Sequence, residues 1–288
     1  MGIKFMKTLI VGATLALGGL GVANVATASD AGGTHKLEHQ KWGFNGMFGT
    51  YDRAAMQRGY QVYREVCASC HALEHLSFRH LADKGAPFYN ADTPNPNDND
   101  VVKAFAKDWS IEAIDQDTGD IIDRPGIPAD KFPLIFPNAI AAAASNGGAI
   151  PPDLSLITKS RTGGADYLYA ILTGYHEAPH DFHVADGTYY NTAFDGNQIK
   201  MAAPLSDELI EYSPYMVAGE HGAEPHEVAA PVATTDQMAR DIVEFLTWAG
   251  DPHMEARKRI GLATFLYLFI FALLLFLTYK TVWRNVKH

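Results

Sequence analysis

Cys67-Ala68-Ser69-Cys70-His71 contains the only two cysteines of the 288-residue chain, and the reading of these five residues decides the fold. Two thiols at this spacing reach the two vinyl groups of one porphyrin, and the imidazole that follows is carried onto the iron by the tether itself. This is how a c-type haem is fixed to a polypeptide. Three other readings compete. A structural disulfide and a thioredoxin-like dithiol use the same spacing, but neither has a use for His71. A zinc site wants four ligands, commonly with a second Cys or His pair, and no such pair stands at a suitable distance in the sequence. Covalent haem attachment accounts for every residue of the motif.

The ends of the chain are distinctive. Lys4 and Lys7 precede an apolar run over residues 9–25 that closes on Ala26-Thr27-Ala28, the layout of a secretory signal peptide cleaved after residue 28. Gly12, Gly18, Gly19 and Gly21, with the small-residue ending, set it apart from a membrane span. Residues 260–279 are uncharged and rich in Leu and Phe, the length of helix that crosses a bilayer core. Flanking charge does not orient this span, because Arg257, Lys258 and Arg259 before it match Lys280, Arg284 and Lys287 after it. The signal peptide does. The expected division is a signal peptide at 1–28, a periplasmic haem domain at 29–256, a transmembrane anchor at 257–280 and a cytoplasmic tail at 281–288. The protein is thus expected to be single-pass in a bacterial inner membrane. All 33 Asp and Glu but only 15 of the 23 Lys and Arg fall in residues 29–256, so the exported part carries a net −18. Such an excess keeps a domain soluble or steers a basic partner to it, and it argues against nucleic acid.

Between leader and anchor the chain suffices for one domain with substantial loops. Apolar residues at three- or four-residue steps predict helices over 53–66, which runs into the haem motif, and over 101–109, 164–173 and 235–249. The last presents Met238, Ile242, Phe245, Leu246 and Trp248 as its apolar face, with Thr234 or Thr235 and Asp236 as start signals. No convincing run of alternating strands is present. Residues 89–100, 124–138 and 220–231 read as loops from their Pro, Asn, Asp and Gly content. The expected fold is mainly α: a cytochrome c-type haem domain with long loops plus one C-terminal transmembrane helix.

A haem iron that carries electrons without binding small molecules needs a second axial ligand, and a thioether raises its potential relative to an imidazole. Met56 precedes the motif on the same predicted helix, Met238 lies on a core face and Met254 adjoins the membrane. Met201 stands in an irregular segment, Ile199-Lys200-Met201-Ala202-Ala203-Pro204-Leu205, suited to approach a flat ring. Met47 and Met216 stay open by position alone.

The segment Gly59-Tyr60-Gln61-Val62-Tyr63-Arg64-Glu65-Val66 leading into Cys67-Ala68-Ser69-Cys70-His71 resembles the haem-binding segment of the cytochrome c1 family. So do Phe78-Arg79-His80-Leu81, Arg124-Pro125-Gly126, Pro151-Pro152-Asp153-Leu154-Ser155, Met201-Ala202-Ala203-Pro204-Leu205, residues 241–248 and Arg257-Lys258-Arg259-Ile260-Gly261-Leu262, in the same order along nearly the whole mature chain. The resemblance implies one haem c held through Cys67 and Cys70, with His71 and Met201 as axial ligands. It further implies that Arg161 pairs with a haem propionate and that Tyr167, Asn146, Pro151 and Pro152 line the crevice. A guanidinium suits a carboxylate through two parallel hydrogen bonds. The chain departs from the family at Lys200, where a small residue is usual, and in lacking the cysteine pair that some bacterial relatives place ahead of the Met loop. The 220–231 stretch reads as an insertion.

His176, His180 and His183 suggest a metal site, but Pro179 breaks any helix between them, and a loop with surface histidines is the simpler reading. His75 and His80 are expected to pack near the surface without a ligand role. The function implied is that of the haem subunit of ubiquinol:cytochrome c oxidoreductase. It would take electrons from the Rieske iron-sulfur protein and pass them to a soluble or tethered cytochrome c, with cytochrome b and membrane lipid around its anchor. A free membrane-anchored shuttle would carry its haem domain on a long flexible tether. A haem-based sensor would expose an open iron site and often append a signalling domain.

Overall fold

The computed structural model describes residues 37–217 and 226–285; the signal peptide read at 1–28 lies outside them. The chain is mainly helical, and two crossing helices organise it. Helix α1, Arg53–Glu65, starts where the Asp52 carboxylate accepts from the Ala55 N–H, and it buries Met56, Tyr60, Val62 and Tyr63. Helix α2 is Asp100–Lys107, α3 Ala139–Ser145, α4 Ile157–Ser160 and α5 Gly164–Thr173. Helix α6, Thr235–Gly250, is capped by the Thr234 hydroxyl, and α7 runs from Met254 to Trp283.

Helix α1 crosses α6 at Gly59. A Cβ there would stand 2.0 Å from the Asp241 carbonyl oxygen and 2.7 Å from Phe245 Cβ, so only glycine lets the two backbones approach this closely. Beside the crossing, Arg58 donates to both Asp241 oxygens at 2.8 Å, and Gln237 donates to the same carboxylate. Tyr60 and Tyr63 pack against Phe245 and Phe132, and Phe132 lies 4.3 Å, centroid to centroid, from Phe78. Aromatic contacts of this kind contribute beyond their buried area.

The sequence predicts one apolar face on α6, yet the opposite face is buried as well, including Asp241, Glu244 and Thr247. The loop ahead of α1 covers it: Tyr51 Oη donates to the Thr247 and Asp251 carbonyls, and the Asp52 N–H donates to Glu244 Oε1 at 2.9 Å. On another side α6 packs against α5. The Asp166 carboxylate at the head of α5 accepts from the Gln40 N–H and, at 2.6 Å, from Trp42 Nε1.

Three two-stranded antiparallel ribbons depart from the strand-free expectation: β1 (Ser110–Ile114) with β2 (Ile121–Pro125), β3 (Tyr189–Tyr190) with β4 (Gln198–Ile199), and β5 (Tyr215–Val217) with β6 (His226–Val228). In the first, Ile114, Ile121 and Ile122 are exposed; no face enters the core, so no hydrophobic alternation marks it. Part of the 124–138 loop is therefore strand, and the 220–231 stretch contains β6, with residues 218–225 outside the described set. The 89–100 loop ends in a buried cap. Asn99 is 3% exposed, accepts from the Val102 N–H and donates to the Phe88 carbonyl.

Helix α7 is the one described helix long and apolar enough to cross a membrane. It begins ahead of the Arg257-Lys258-Arg259 cluster, which lies within the helix rather than before it.

Two outcomes follow. Gly59→Ala forces the crossing apart and is expected to cost about 3 kcal/mol, at the upper end for overpacking, lowering Tm by about 10 °C for a chain of this size; a thermal scan that matches wild type would remove the crossing from its central place. Burial pushes the Glu244 carboxyl up to about 7, against the pull of the Asp52 N–H. A raised carboxylate pKa means that the folded chain holds a proton the unfolded chain releases. The stabilisation is complete below the unfolded value and is lost as pH rises through about 7. Glu244→Gln should therefore gain on wild type by on the order of 2 kcal/mol between pH 5 and 8, in denaturant titrations at a series of pH values; parallel pH profiles would contradict this.

Candidate cofactor-binding site

The site begins where α1 ends. Helix α1 gives way to a 3-10 turn, Cys67–Ser69, in which the Cys70 and His71 N–H groups both donate to the Cys67 carbonyl at 3.1 and 2.9 Å. One tight turn thus presents both thiols and the imidazole. The cysteines are free and partly exposed, with no disulfide between them. Burial, and then Cys70, push the Cys67 thiol up to about 12, the reverse of the acidified thiol that a redox dithiol needs.

His71 is oriented by backbone. Its Nδ1 lies 2.7 Å from the Pro152 carbonyl, and because a carbonyl only accepts, Nδ1 carries the proton and Nε2 holds a lone pair. Burial holds the imidazole pKa down, opposed by the Pro152 bond and by Asp153, so the ring is neutral and fit to ligate a metal. The wall behind it is stitched by bonds from Leu154 N to Ala72 O, Glu74 N to Asp153 Oδ2 and His75 N to Ser155 Oγ. Tyr63 Oη, from the core of α1, donates to the His71 carbonyl at 3.1 Å.

Asn146 caps α3 and turns its amide back to the Ala142 carbonyl at 2.7 Å. The chain then reverses through Gly147 and Gly148, both at positive φ. Gly147 O accepts from Lys200 Nζ at 2.5 Å, and Met201 O accepts from Tyr175 Oη at 3.0 Å. The loop that starts at Gly147 beside Lys200-Met201 therefore ends at Pro152 beside His71. Five residues of extended chain reach at most about 18 Å, so the two backbone carbonyls that hold the His71 ring and the Lys200 side chain are joined by one short loop.

Arg161, at the end of α4, is exposed and donates to the Ser160 carbonyl and hydroxyl. It acts on Tyr167 of α5, whose phenol pKa is raised chiefly by burial and is drawn back by the Arg161 charge. Apolar side chains near these segments stay open to solvent: Ile140, Ile150 and Leu156 are exposed, and α5 fully buries only Ile171. Two thiols and a neutral imidazole on one turn have the chemistry to attach and ligate a haem c, and exposed apolar side chains stand on neighbouring segments.

The other methionines are placed elsewhere. Met56 and Met238 are 0% exposed within the core, Met254 is buried at the head of α7, and Met47 is exposed ahead of α1. The side chain of Met216 lies outside the described set. His80 accepts from the Ser77 N–H. His176, His180 and His183 lie on the loop after α5, and no group of three or more His, Cys, Asp or Glu among the described residues is placed to hold a metal ion. Tyr175 was not singled out by sequence; it carries no motif, and its role appears only in the contact with Met201.

Residues 42–286 match the model of the Cytochrome C1 family. The chain is 42% identical to a protein named cytochrome b/c1 from Bradyrhizobium diazoefficiens over 95% of its own length, and spans only 41% of that relative. It is 38% identical to cytochrome c1 of Rhodospirillum rubrum, covering 96% of each chain. With cytochrome c1 of Blastochloris viridis it shares 37% identity over 93% of each.

Replacing Cys67 or Cys70 by Ser should leave haem held by one thioether and a reduced haem stain on denaturing gels, while the double variant should lose all covalent colour. Undiminished stain in the double variant would exclude attachment at this turn.

Proposed function

The chain belongs to the cytochrome C1 family, carries haem c as its cofactor, and on that basis we propose that it is the haem subunit of a cytochrome bc1 complex. It takes electrons from a Rieske iron-sulfur protein and passes them to a soluble or membrane-tethered cytochrome c. Haem c, when bound, supplies a one-electron change at iron. The residues of the chain set its position, its potential and its isolation from water.

Cys67 and Cys70 hold the two thioether bonds. His71 supplies the proximal ligand, and the observation that carries the proposal is its 2.7 Å bond to the Pro152 carbonyl, which fixes the tautomer and aims Nε2. Met201 supplies the second axial ligand. Arg161 pairs with a propionate, a role suited to a guanidinium that is exposed and has no carboxylate partner among the described residues. Tyr167, Asn146, Pro151 and Pro152 line the crevice. Electron transfer needs no general acid, base or nucleophile from this chain; quinol oxidation belongs to the complex.

Cytochrome b is the neighbour proposed for α7, an arrangement supported by the Bradyrhizobium relative, which is named for both cytochromes. In this reading residues 1–28 are removed on export, residues 29–256 form the periplasmic haem domain of a bacterial inner-membrane protein, residues 257–280 cross the bilayer among lipids, and residues 281–288 stay in the cytoplasm. The bacterial relatives and the one helix among the described residues that is long and apolar enough to span support it.

Met201→Leu removes the soft donor, so the midpoint potential should fall by on the order of 0.1–0.3 V, within the ~0.8 V that axial ligands command. The sulfur-to-iron charge-transfer band of the ferric protein should vanish with it. Redox titration and absorption spectra of the purified variant measure both, and an intact band with an unchanged potential would move the ligand to another methionine. Gentle detergent extraction should bring down cytochrome b and Rieske polypeptides with this chain; recovery of the chain alone would favour a free-standing carrier.

A further inference from the structure

The Met201 segment has almost no backbone support. Among the described residues, no backbone–backbone hydrogen bond outside the β3–β4 pair falls on residues 200–204, and Ala202 and Ala203 are exposed. No disulfide can brace the segment either, since the chain has no cysteine beyond Cys67 and Cys70.

Two side-chain bonds take over. Tyr175 Oη donates to the carbonyl of Met201 itself at 3.0 Å, and Lys200 Nζ, from the adjacent residue, donates to the Gly147 carbonyl at 2.5 Å. Each springs from or lands on a fixed base. Tyr175 follows Gly174, where a Cβ would stand 2.6 Å from the Ala170 carbonyl and 2.9 Å from Asn191 Oδ1. It bridges to Asn191, which is 0% exposed and donates to the Ile171 carbonyl of α5. The Gly147 carbonyl belongs to the turn that closes α3, held by the Gly148 N–H on the Ala143 carbonyl at 2.7 Å. A cation among the open carbonyls of a helix C-terminus is favourably placed.

We propose that Lys200 and Tyr175 are positioning residues that strap the Met201 segment between the end of α3 and the end of α5, doing here by hydrogen bonds what a disulfide would do by covalent linkage. The proposal rests on Met201 as the axial ligand. A thioether is a weak ligand, so its hold on iron depends on how much of the time the loop keeps it in place; each strap removes conformations in which the sulfur is withdrawn.

The test uses the full-length, haem-bearing protein and follows carbon monoxide binding to the ferrous form together with the sulfur-to-iron band of the ferric form. Tyr175→Phe removes only the hydroxyl, Lys200→Leu removes the donor without adding a new sulfur or nitrogen ligand, and Lys200→Arg retains a donor. Loss of one such bond should speed carbon monoxide entry about fivefold, with a larger effect in the double variant, a weakened ferric band, and near-normal behaviour in Lys200→Arg. Circular dichroism melting should stay close to wild type, which separates loop release from general unfolding. Wild-type carbon monoxide kinetics in both single variants and the double, alongside an opened site in Met201→Leu, would overturn the strap and leave the ligand assignment standing. A closed site in Met201→Leu would overturn the ligand assignment and the strap with it.

Discussion

The contact on which the rest depends is the passage of α1 over α6 at Gly59. The turn that carries Cys67, Cys70 and His71 is the direct continuation of α1, so the tilt and depth of α1 against α6 set where those side chains emerge. A side chain at residue 59 would meet the Asp241 carbonyl, and the Arg58–Asp241 pair beside it fixes the rotation of one helix relative to the other. That pair is nearly buried, and a pair of this kind defines geometry more surely than it adds stability, because desolvation offsets much of its attraction.

From that crossing outward, the site is assembled by side chains gripping backbone. Tyr63 reaches from the core to the His71 carbonyl, Asp153 and Ser155 receive the N–H groups of Glu74 and His75, and Pro152 orients the His71 ring. Loops dominate the face that would meet the cofactor, and loops lack a ladder of their own. Their polar groups must find partners one at a time, so single residues such as Asn99, Asn146 and Asn191 each settle several bonds at once.

The legible parts of the sequence were those with a repeating physical signal. Helices α1, α2, α5 and α6 lie within a residue or two of the ends their sequence predicts, because each carries an apolar stripe and most carry a capping side chain. Helix α3 is not legible because Ala139-Ile140-Ala141-Ala142-Ala143-Ala144 has helix propensity without polar contrast, and the β1–β2 ribbon is not because it offers no buried face to the core. The cysteine turn was visible as spacing. The contact between Lys200 and Gly147, 53 positions apart in the chain, leaves no periodic trace, and in the sequence Lys200 stands out only as a departure from the family.

The head of α7 has a mechanical consequence. Lys258 donates to the Phe44 and Gly49 carbonyls, Arg257 to Asp251, and Glu255 accepts from the Tyr51 N–H. One helical turn at the head of α7, residues 255–258, is thereby bolted to the domain, which stands on its helix as a post stands in a socket and does not swing as a buoy does on a line. On the function proposed above, a redox centre so mounted would keep a constant heading relative to its helix, and its distance to a donor or an acceptor would change only when that other molecule travels.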